Sequence, residues 1–386
     1  MHQKVFRKVR VAASALFIGT LLLAFAASHT STQKTSVSAH ESGAEMRGFS
    51  AQELSQFIVL EPIDTHTHIY ESEPSYFAML NKLHLHTLDI MVVADNANPE
   101  RRELAKESRD VFEVVKNSDN RVASCTTFDA YRVNQINFIA ATVRQLNQDF
   151  AQGAIAVKIW KNVGMEIKNT RGEYILPDDP SLEPIYADIA AHGKTLVTHI
   201  ADPDTAWLPP DPASPDYSYF VEHPEWYMYK NHYSPSKPQI LVARDHVLQA
   251  NPNLRMVGAH LGSMEGNFAQ IAQRLDRYPN FAVDLAGRLP YLMLRPRDQM
   301  IAFITKYQDR LIYGTDDALY PSEEVRRSVA EAEVEYANDW RFLATNQIRD
   351  LRGRTIEGLA LPPSILHKIY HENAVHWFPG ILGNRQ

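Results

Sequence analysis

The chain has 386 residues, 45% apolar and 22% charged, an ordinary balance for a globular protein able to bury a large core. A net charge of −7 leaves no excess of Lys and Arg to neutralise phosphates, which argues against a nucleic-acid partner and points to a small-molecule substrate. A single cysteine, Cys125, excludes an intrachain disulfide.

Lys4, Arg7, Lys8 and Arg10 precede an apolar run from Val11 to Ala27 that contains Ala24-Phe25-Ala26, a small-residue cleavage pattern. Residues 1–27 therefore read as a signal peptide, and the protein is expected to be exported, periplasmic or secreted. An uncleaved anchor is the alternative, and it would be the sole membrane attachment. No cysteine stands near the cleavage point, so a lipid-anchored cysteine is excluded. Residues 28–55 are expected as a flexible linker, Ser/Thr/Ala-rich over most of their length, and residues 56–386 as one folded domain.

From Ile63 onward, β-rich runs alternate with helical patterns. The expected strands are Ile63–Ile69, Ile90–Ala94, Val122–Phe128, Ile155–Trp160, Thr195–His199, Arg255–His260, Phe281–Leu285 and Leu311–Asp316. Between them lie amphipathic stretches such as Arg101–Lys116, Val133–Ala151, Leu182–Ala191 and Asn267–Tyr278. Strands separated by helices pair in parallel, and about eight such units predict an α/β fold, a single (β/α)8 TIM barrel. An open doubly wound sheet is the alternative. Two segments exceed the minimal unit. Asp202 to Lys237, rich in Pro and aromatics, is a long loop after strand 5 placed to act as a lid. Leu319 to Pro363, mostly helical and charged, is an insertion after strand 8. Cys125, inside a β-like run, reads as a buried thiol.

The chemistry is concentrated at strand ends. In Asp64-Thr65-His66-Thr67-His68 the two histidines share one face of a strand and can chelate one ion. His84-Leu85-His86 sits at the end of a helical pattern, where i and i+2 diverge by about 200°, and should not chelate. His367 and His371 read as a solvated helix face, because Lys368 breaks the HExxH pattern. His199, His260 and Asp316 each end an apolar run and are followed by loop-like sequence, where barrel enzymes place their active sites. Imidazoles plus one carboxylate suit Zn²⁺ with an open position for water. Lys158 alternates with Ile155, Val157 and Ile159, so with Ala156 and Trp160 it should point into the barrel. Two readings of it stay open: a carbamylated lysine bridging two metals, or an ammonium paired with an acidic neighbour or a substrate carboxylate. Trp160, on the same face, is a candidate substrate contact.

These residues resemble the amidohydrolase superfamily, more narrowly the amidohydrolase-related family that includes aminocarboxymuconate-semialdehyde decarboxylase and related lactone hydrolases. Asp-Thr-His-Thr-His on strand 1, the His ending strand 5, the His-Leu-Gly-Ser of strand 6, Tyr-Gly-Thr-Asp on strand 8 and the closing Asn373-Ala374 match in order. Lys-Ile-Trp-Lys-Asn-Val-Gly on strand 4 and Arg341 to Thr345 are similar to a bacterial branch of that family. The resemblance implies that His66, His68, His199 and Asp316 hold one zinc and that His260 assists its water. In binuclear members a strand-4 lysine carbamate bridges two ions, with the strand-5 and strand-6 histidines on the second. Lys158 and His260 leave this chain compatible with one ion or two.

The expected reaction is metal-assisted hydrolysis of an ester, lactone or amide. In it Asp316 accepts the proton of a metal-bound water, and His260 orients that water or stabilises oxyanion charge. Arg288, just after strand 7, is a candidate partner for a substrate carboxylate, or else half of an interstrand ion pair. Non-oxidative decarboxylation on the same metal site is the second reading, and a non-catalytic exported binding protein the third. Homo-oligomerisation is left open.

Overall fold

The computed structural model describes residues 47–93, 104–214, 216–231, 233–319, 325–351 and 353–383. The expected signal peptide and most of the expected linker lie outside the described residues. Among the described residues, no helix is long and apolar enough to cross a membrane.

Nine parallel strands form one curled sheet. They are β1 (Ile63–Ile69), β2 (His86–Ile90), β3 (Val122–Thr127), β4 (Ala156–Ile159), β5 (Thr195–Thr198), β6 (Arg255–Gly258), β7 (Phe281–Asp284), β8 (Leu311–Ile312) and β9 (Asp317–Leu319). Neighbours follow chain order from β1 to β8, with β9 on the free side of β1. The segment from β8 to β9 touches both ends of the sheet: β8 pairs with β7, while the Thr65 amide donates to the Tyr313 carbonyl (3.1 Å) and the Asp316 amide to the His66 carbonyl (2.8 Å). This arrangement is consistent with a (β/α)8 barrel.

The inside is visible in the packing. Ile63, Leu88, Cys125, Ala156, Val197, Val257, Ala282 and Ile312, one from each of the first eight strands, join Trp377 and Phe378 in a single apolar cluster. The larger cluster lies between strands and helices and takes Val157, Leu196, Met256 and Val283, the neighbours of the inward residues. Alternation along each strand thus separates an inner from an outer core. Cys125 is fully buried as expected, and burial pushes its thiol well above its ordinary range.

Several boundaries differ from the sequence expectation. The second strand is His86–Ile90, earlier than the Ile90–Ala94 run, and residue 94 falls outside the described residues. His84 is not helical: it takes a left-handed turn (φ 50°), and His86 opens β2. The helix Ala51–Ile58 begins inside the span expected as linker, because Ser50 and Glu53 close a capping box. Glu53 then fixes that helix to the Arg341 guanidinium at 2.8 and 2.9 Å. After β5 the chain makes short helices, Tyr217–Glu222 among them. After β9 it makes the 20-residue helix Val325–Ala344, then an antiparallel hairpin, Ile348–Leu351 with Arg354–Glu357, which the helical reading of that region missed.

Candidate active site at the C-terminal end of the sheet

β1 is irregular, and the irregularity matters. Its register with β2 slips between Asp64 and Thr67. Asp64 faces the outer helix and accepts from the Tyr336 hydroxyl (2.9 Å) and the Thr315 hydroxyl (2.6 Å). Burial pushes its carboxyl up to about 6 against those bonds. His66 and His68 turn inward together, as their spacing predicts.

Three of the inward histidines have Nδ1 engaged by an acceptor. His66 Nδ1 meets Asp284 Oδ2 (2.8 Å), His68 Nδ1 the Ile90 carbonyl (2.7 Å) and His260 Nδ1 the Ala286 carbonyl (2.9 Å). A carbonyl only accepts, so Nδ1 of His68 and of His260 donates, and Nε2 is the atom each ring turns toward the centre. Burial, then the nearby Lys158 charge, lowers the His66 pKa, and burial holds His199 and His260 well below the usual imidazole range. The Nε2 atoms of His66 and His68 stand 3.3 and 3.4 Å from the same oxygen, Asp316 Oδ1. Burial acts to raise the Asp316 carboxyl, but the facing His260, His68 and His66 act against it, and the group lies well below the usual carboxylate range. One ligand atom each from His66, His260 and Asp316 lie within 4.8 Å of one another. The His199 ring packs edge-on against His260 (centroids 4.4 Å), and its buried Nε2 has no hydrogen-bond partner among the described residues. Lys158 points inward as its alternation requires, with Nζ 3.1 Å from His66 Nε2.

His260 stands two residues past β6, within four consecutive left-handed residues: His260, Leu261, Gly262 and Ser263 have φ of 58°, 56°, 65° and 59°. Each non-glycine residue there costs about 1–2 kcal/mol. The turn fits because Gly258 and Gly262 lack side chains. A Cβ on Gly258 would lie 2.7 Å from the Gly262 Cα and 2.8 Å from the Phe281 ring.

Three functional groups escaped the sequence reading. Asp284, the last residue of β7, accepts from His66 Nδ1, the His260 amide (2.7 Å) and the Ala286 amide (3.2 Å), so one carboxylate orients two histidines. The strand-end rule that picks out His199 and Asp316 applies equally to Asp284. Lys161 is buried and binds both oxygens of Asp202 (2.7 and 2.8 Å) as well as the Tyr219 hydroxyl. Asp202 Oδ1 also lies 3.7 Å from His199 Nε2. No local pattern marks that pairing, because it joins the end of β4 to the segment after β5. Trp160 meets Trp226 of the same segment edge-on at 4.9 Å, above Lys161.

Arg288 departs from the ion-pair reading. It is buried, donates from Nη1 to the Gly287 carbonyl (2.9 Å), leaves Nε without a partner, and has no carboxylate in ion-pair reach among the described residues. His84, His86, His367 and His371 stand outside the cluster. His367 and His371 stack at 5.2 Å and bond Glu372 and the Glu61 carbonyl.

The amidohydrolase family model matches residues 63–380. The chain belongs to the amidohydrolase family. Among solved structures it is similar to a dihydroxybenzoic acid decarboxylase from Polaromonas sp. JS666, solved with bound manganese and the inhibitor 2-nitroresorcinol. That match has 13% identity and a TM-score of 0.50, covering 82% of this chain and 96% of that one. An uncharacterised TIM-barrel protein from Bordetella bronchiseptica matches at 17% identity and a TM-score of 0.48, over 82% and 97%. A putative 2-pyrone-4,6-dicarboxylic acid hydrolase from Pseudomonas putida matches at 12% identity and a TM-score of 0.45, over 83% and 97%. No curated protein matches the chain. At these identities the first comparison speaks to the fold, and the family membership rests on the family model.

Proposed function

We propose that this amidohydrolase is a metal-dependent hydrolase that cleaves an ester, lactone or amide of a small molecule at the C-terminal mouth of a closed (β/α)8 barrel. The observation that carries the reading is the convergence of imidazole nitrogens on one carboxylate. His66, His260 and Asp316 come within 4.8 Å, and His66 and His68 both present Nε2 to Asp316 Oδ1. Lys158 Nζ can satisfy His66 Nε2 at 3.1 Å, and a divalent ion among these groups would be held by the imidazoles in their neutral form and the carboxylate in its ionised form. The buried His199 Nε2, unpartnered among the described residues, suits the same ion. His66, His68, His199 and Asp316 would hold one divalent ion, zinc by donor chemistry, with His260 and a carbamylated Lys158 available for a second. Such an ion supplies Lewis acidity, polarising a scissile carbonyl and making water a better nucleophile at neutral pH.

The chain's own groups would do the rest. Asp316, kept ionised, takes a proton from the attacking water and returns it to the leaving group. His260 offers an acceptor at Nε2 because Ala286 holds its other nitrogen as a donor, so it orients water rather than donating to an oxyanion. Arg288, buried with a free Nε, faces a substrate carboxylate, and Trp160 with Trp226 walls a planar or apolar part of the substrate.

Decarboxylation is a second reading, favoured by the unpaired Arg288 and by likeness to the manganese-containing decarboxylase. Product analysis decides between them: carbon dioxide without a hydrolysis product would sink the hydrolase. The metal reading is tested by elemental analysis of wild type, His66→Ala and Lys158→Ala. One equivalent, unaffected at Lys158, means one ion, and two, falling with Lys158, mean a carbamate-bridged pair. Undiminished metal in His66→Ala removes the ligand assignment. Export is likewise proposed from residues 1–27, and N-terminal sequencing of the mature protein tests it.

A further inference from the structure

We propose that Arg244, which touches none of the site residues, positions His260 from outside the barrel by holding the left-handed turn through the Gly262 carbonyl. The inference rests on the reading of His260 as part of the active centre.

Arg244 lies on the helix Lys237–Ala250 and is fully buried. Burying a guanidinium is costly, so its partners should reveal what holds it there. An ion pair is only part of the answer: Asp245 Oδ1 accepts from Arg244 Nη2 at 3.3 Å, but Arg274 Nε lies closer to both Asp245 oxygens, at 3.0 and 2.9 Å, and Arg244 Nη2 also reaches Met264 Sδ at 3.7 Å. The shortest bond of Arg244 runs from Nη1 to the Gly262 carbonyl (2.7 Å), and its guanidinium lies over the Phe281 ring at 4.7 Å. Arg244 Nε has no partner.

These contacts close a small stack. Gly258 at the end of β6, Gly262 in the turn and the Phe281 ring are packed so closely that a Cβ on either glycine would lie within 3.2 Å of the next group. A Cβ on Gly262 would come 3.2 Å from Arg244 Nη1. Three left-handed residues, His260, Leu261 and Gly262, stand inside the short helical stretch Ala259–Ser263, and the Met264 amide reaches back to the Leu261 carbonyl at a long 3.3 Å. The Gly262 carbonyl of this strained stretch takes the planar, always charged Arg244 guanidinium as a donor from outside the turn. On the far side, the turn aims the His260 amide at Asp284 Oδ1 and the His260 Nδ1 at the Ala286 carbonyl. Losing the Gly262 bond lets the turn relax and moves both. Arg244 is thus a positioning residue that acts through Gly262 and His260.

The test uses the full chain loaded with Co²⁺, whose visible spectrum reports ligand geometry. Arg244→Met is expected to shift the bands and weaken Co²⁺ binding about tenfold, the low end for groups that orient metal ligands. Arg244→Lys should retain part of the affinity, and millimolar guanidinium should restore Arg244→Met. Arg274→Met, which removes the neighbouring ion pair but not the Gly262 bond, should match wild type. An Arg244→Met protein with wild-type spectrum and affinity overturns the proposal, and so does an Arg274→Met protein that behaves like Arg244→Met. Should Arg244→Met fail to fold, Arg244→Lys is read by the same criteria. If wild type takes up no Co²⁺, the metal reading fails by itself. The His260 Nδ1–H resonance of ¹⁵N-histidine-labelled protein then decides: moved in the Arg244 variant it supports the positioning role, unmoved it refutes it.

Discussion

Replacing Asp284 with Asn isolates the contribution of one carboxylate to two histidines. Asp284 is buried, and burial acts to raise its carboxyl. His66, at 2.8 Å, outweighs that and holds it below the ordinary range, so it accepts as an anion. An Asn side chain can still accept the His260 amide through its oxygen, but that leaves its NH₂ facing His66 Nδ1. His66 must then accept at Nδ1 and carry its proton on Nε2, which is the wrong tautomer for ligation. The loss is one hydrogen bond to a charged group, about 1.5–3 kcal/mol, or roughly 10- to 150-fold in metal affinity. That range overlaps the roughly 10- to 100-fold typical of residues that orient metal ligands. Chelator competition with zinc on wild type and Asp284→Asn measures it directly, with far-UV circular dichroism confirming the fold. An affinity within twofold of wild type would falsify the claim that Asp284 sets the His66 tautomer.

Three further outcomes are expected. The Arg341 guanidinium holds the Glu53 carboxyl down at about 2, against an ordinary 4.5, so its stabilisation is complete above pH 4.5 and lost as pH falls toward 2. Glu53→Gln should cost about 2–3 kcal/mol at neutral pH and flatten the stability profile across that acid window, and urea melts at several pH values that stay parallel to wild type would contradict it. Gly258→Ala should destabilise by about 1–3 kcal/mol, since its Cβ meets the Gly262 Cα and the Phe281 ring; an unchanged denaturation midpoint would show that the turn yields freely. Lys161→Met leaves the Asp202 carboxylate buried without its cation, a loss of about 3–5 kcal/mol that should loosen the segment after β5. Hydrogen exchange at Tyr217–Glu222 should rise, and unchanged protection there would deny Lys161 its latching role.

The sequence by itself determined the parts that depend on short-range periodicity. Alternating β-rich and helical runs gave parallel strands in chain order. The i, i+2 spacing put His66 and His68 on one face, and the same alternation sent Lys158 inward. The strand-end rule located His199, His260 and Asp316, because a polar residue closing an apolar run must sit at the rim of the sheet. Tertiary structure decided what no local pattern encodes. Asp284 reaches His66 across 218 residues. Lys161 finds Asp202 and Tyr219 on a segment that only folding brings over β4. Among the described residues Arg288 has no carboxylate in ion-pair reach, although its sequence context suits an ion pair equally well. The left-handed turn at His260 is written in two glycines, but what holds it is a buried Arg244 on the helix before β6. Periodicity fixes which way a side chain points, whereas the partner it meets depends on distances set by the whole curled sheet.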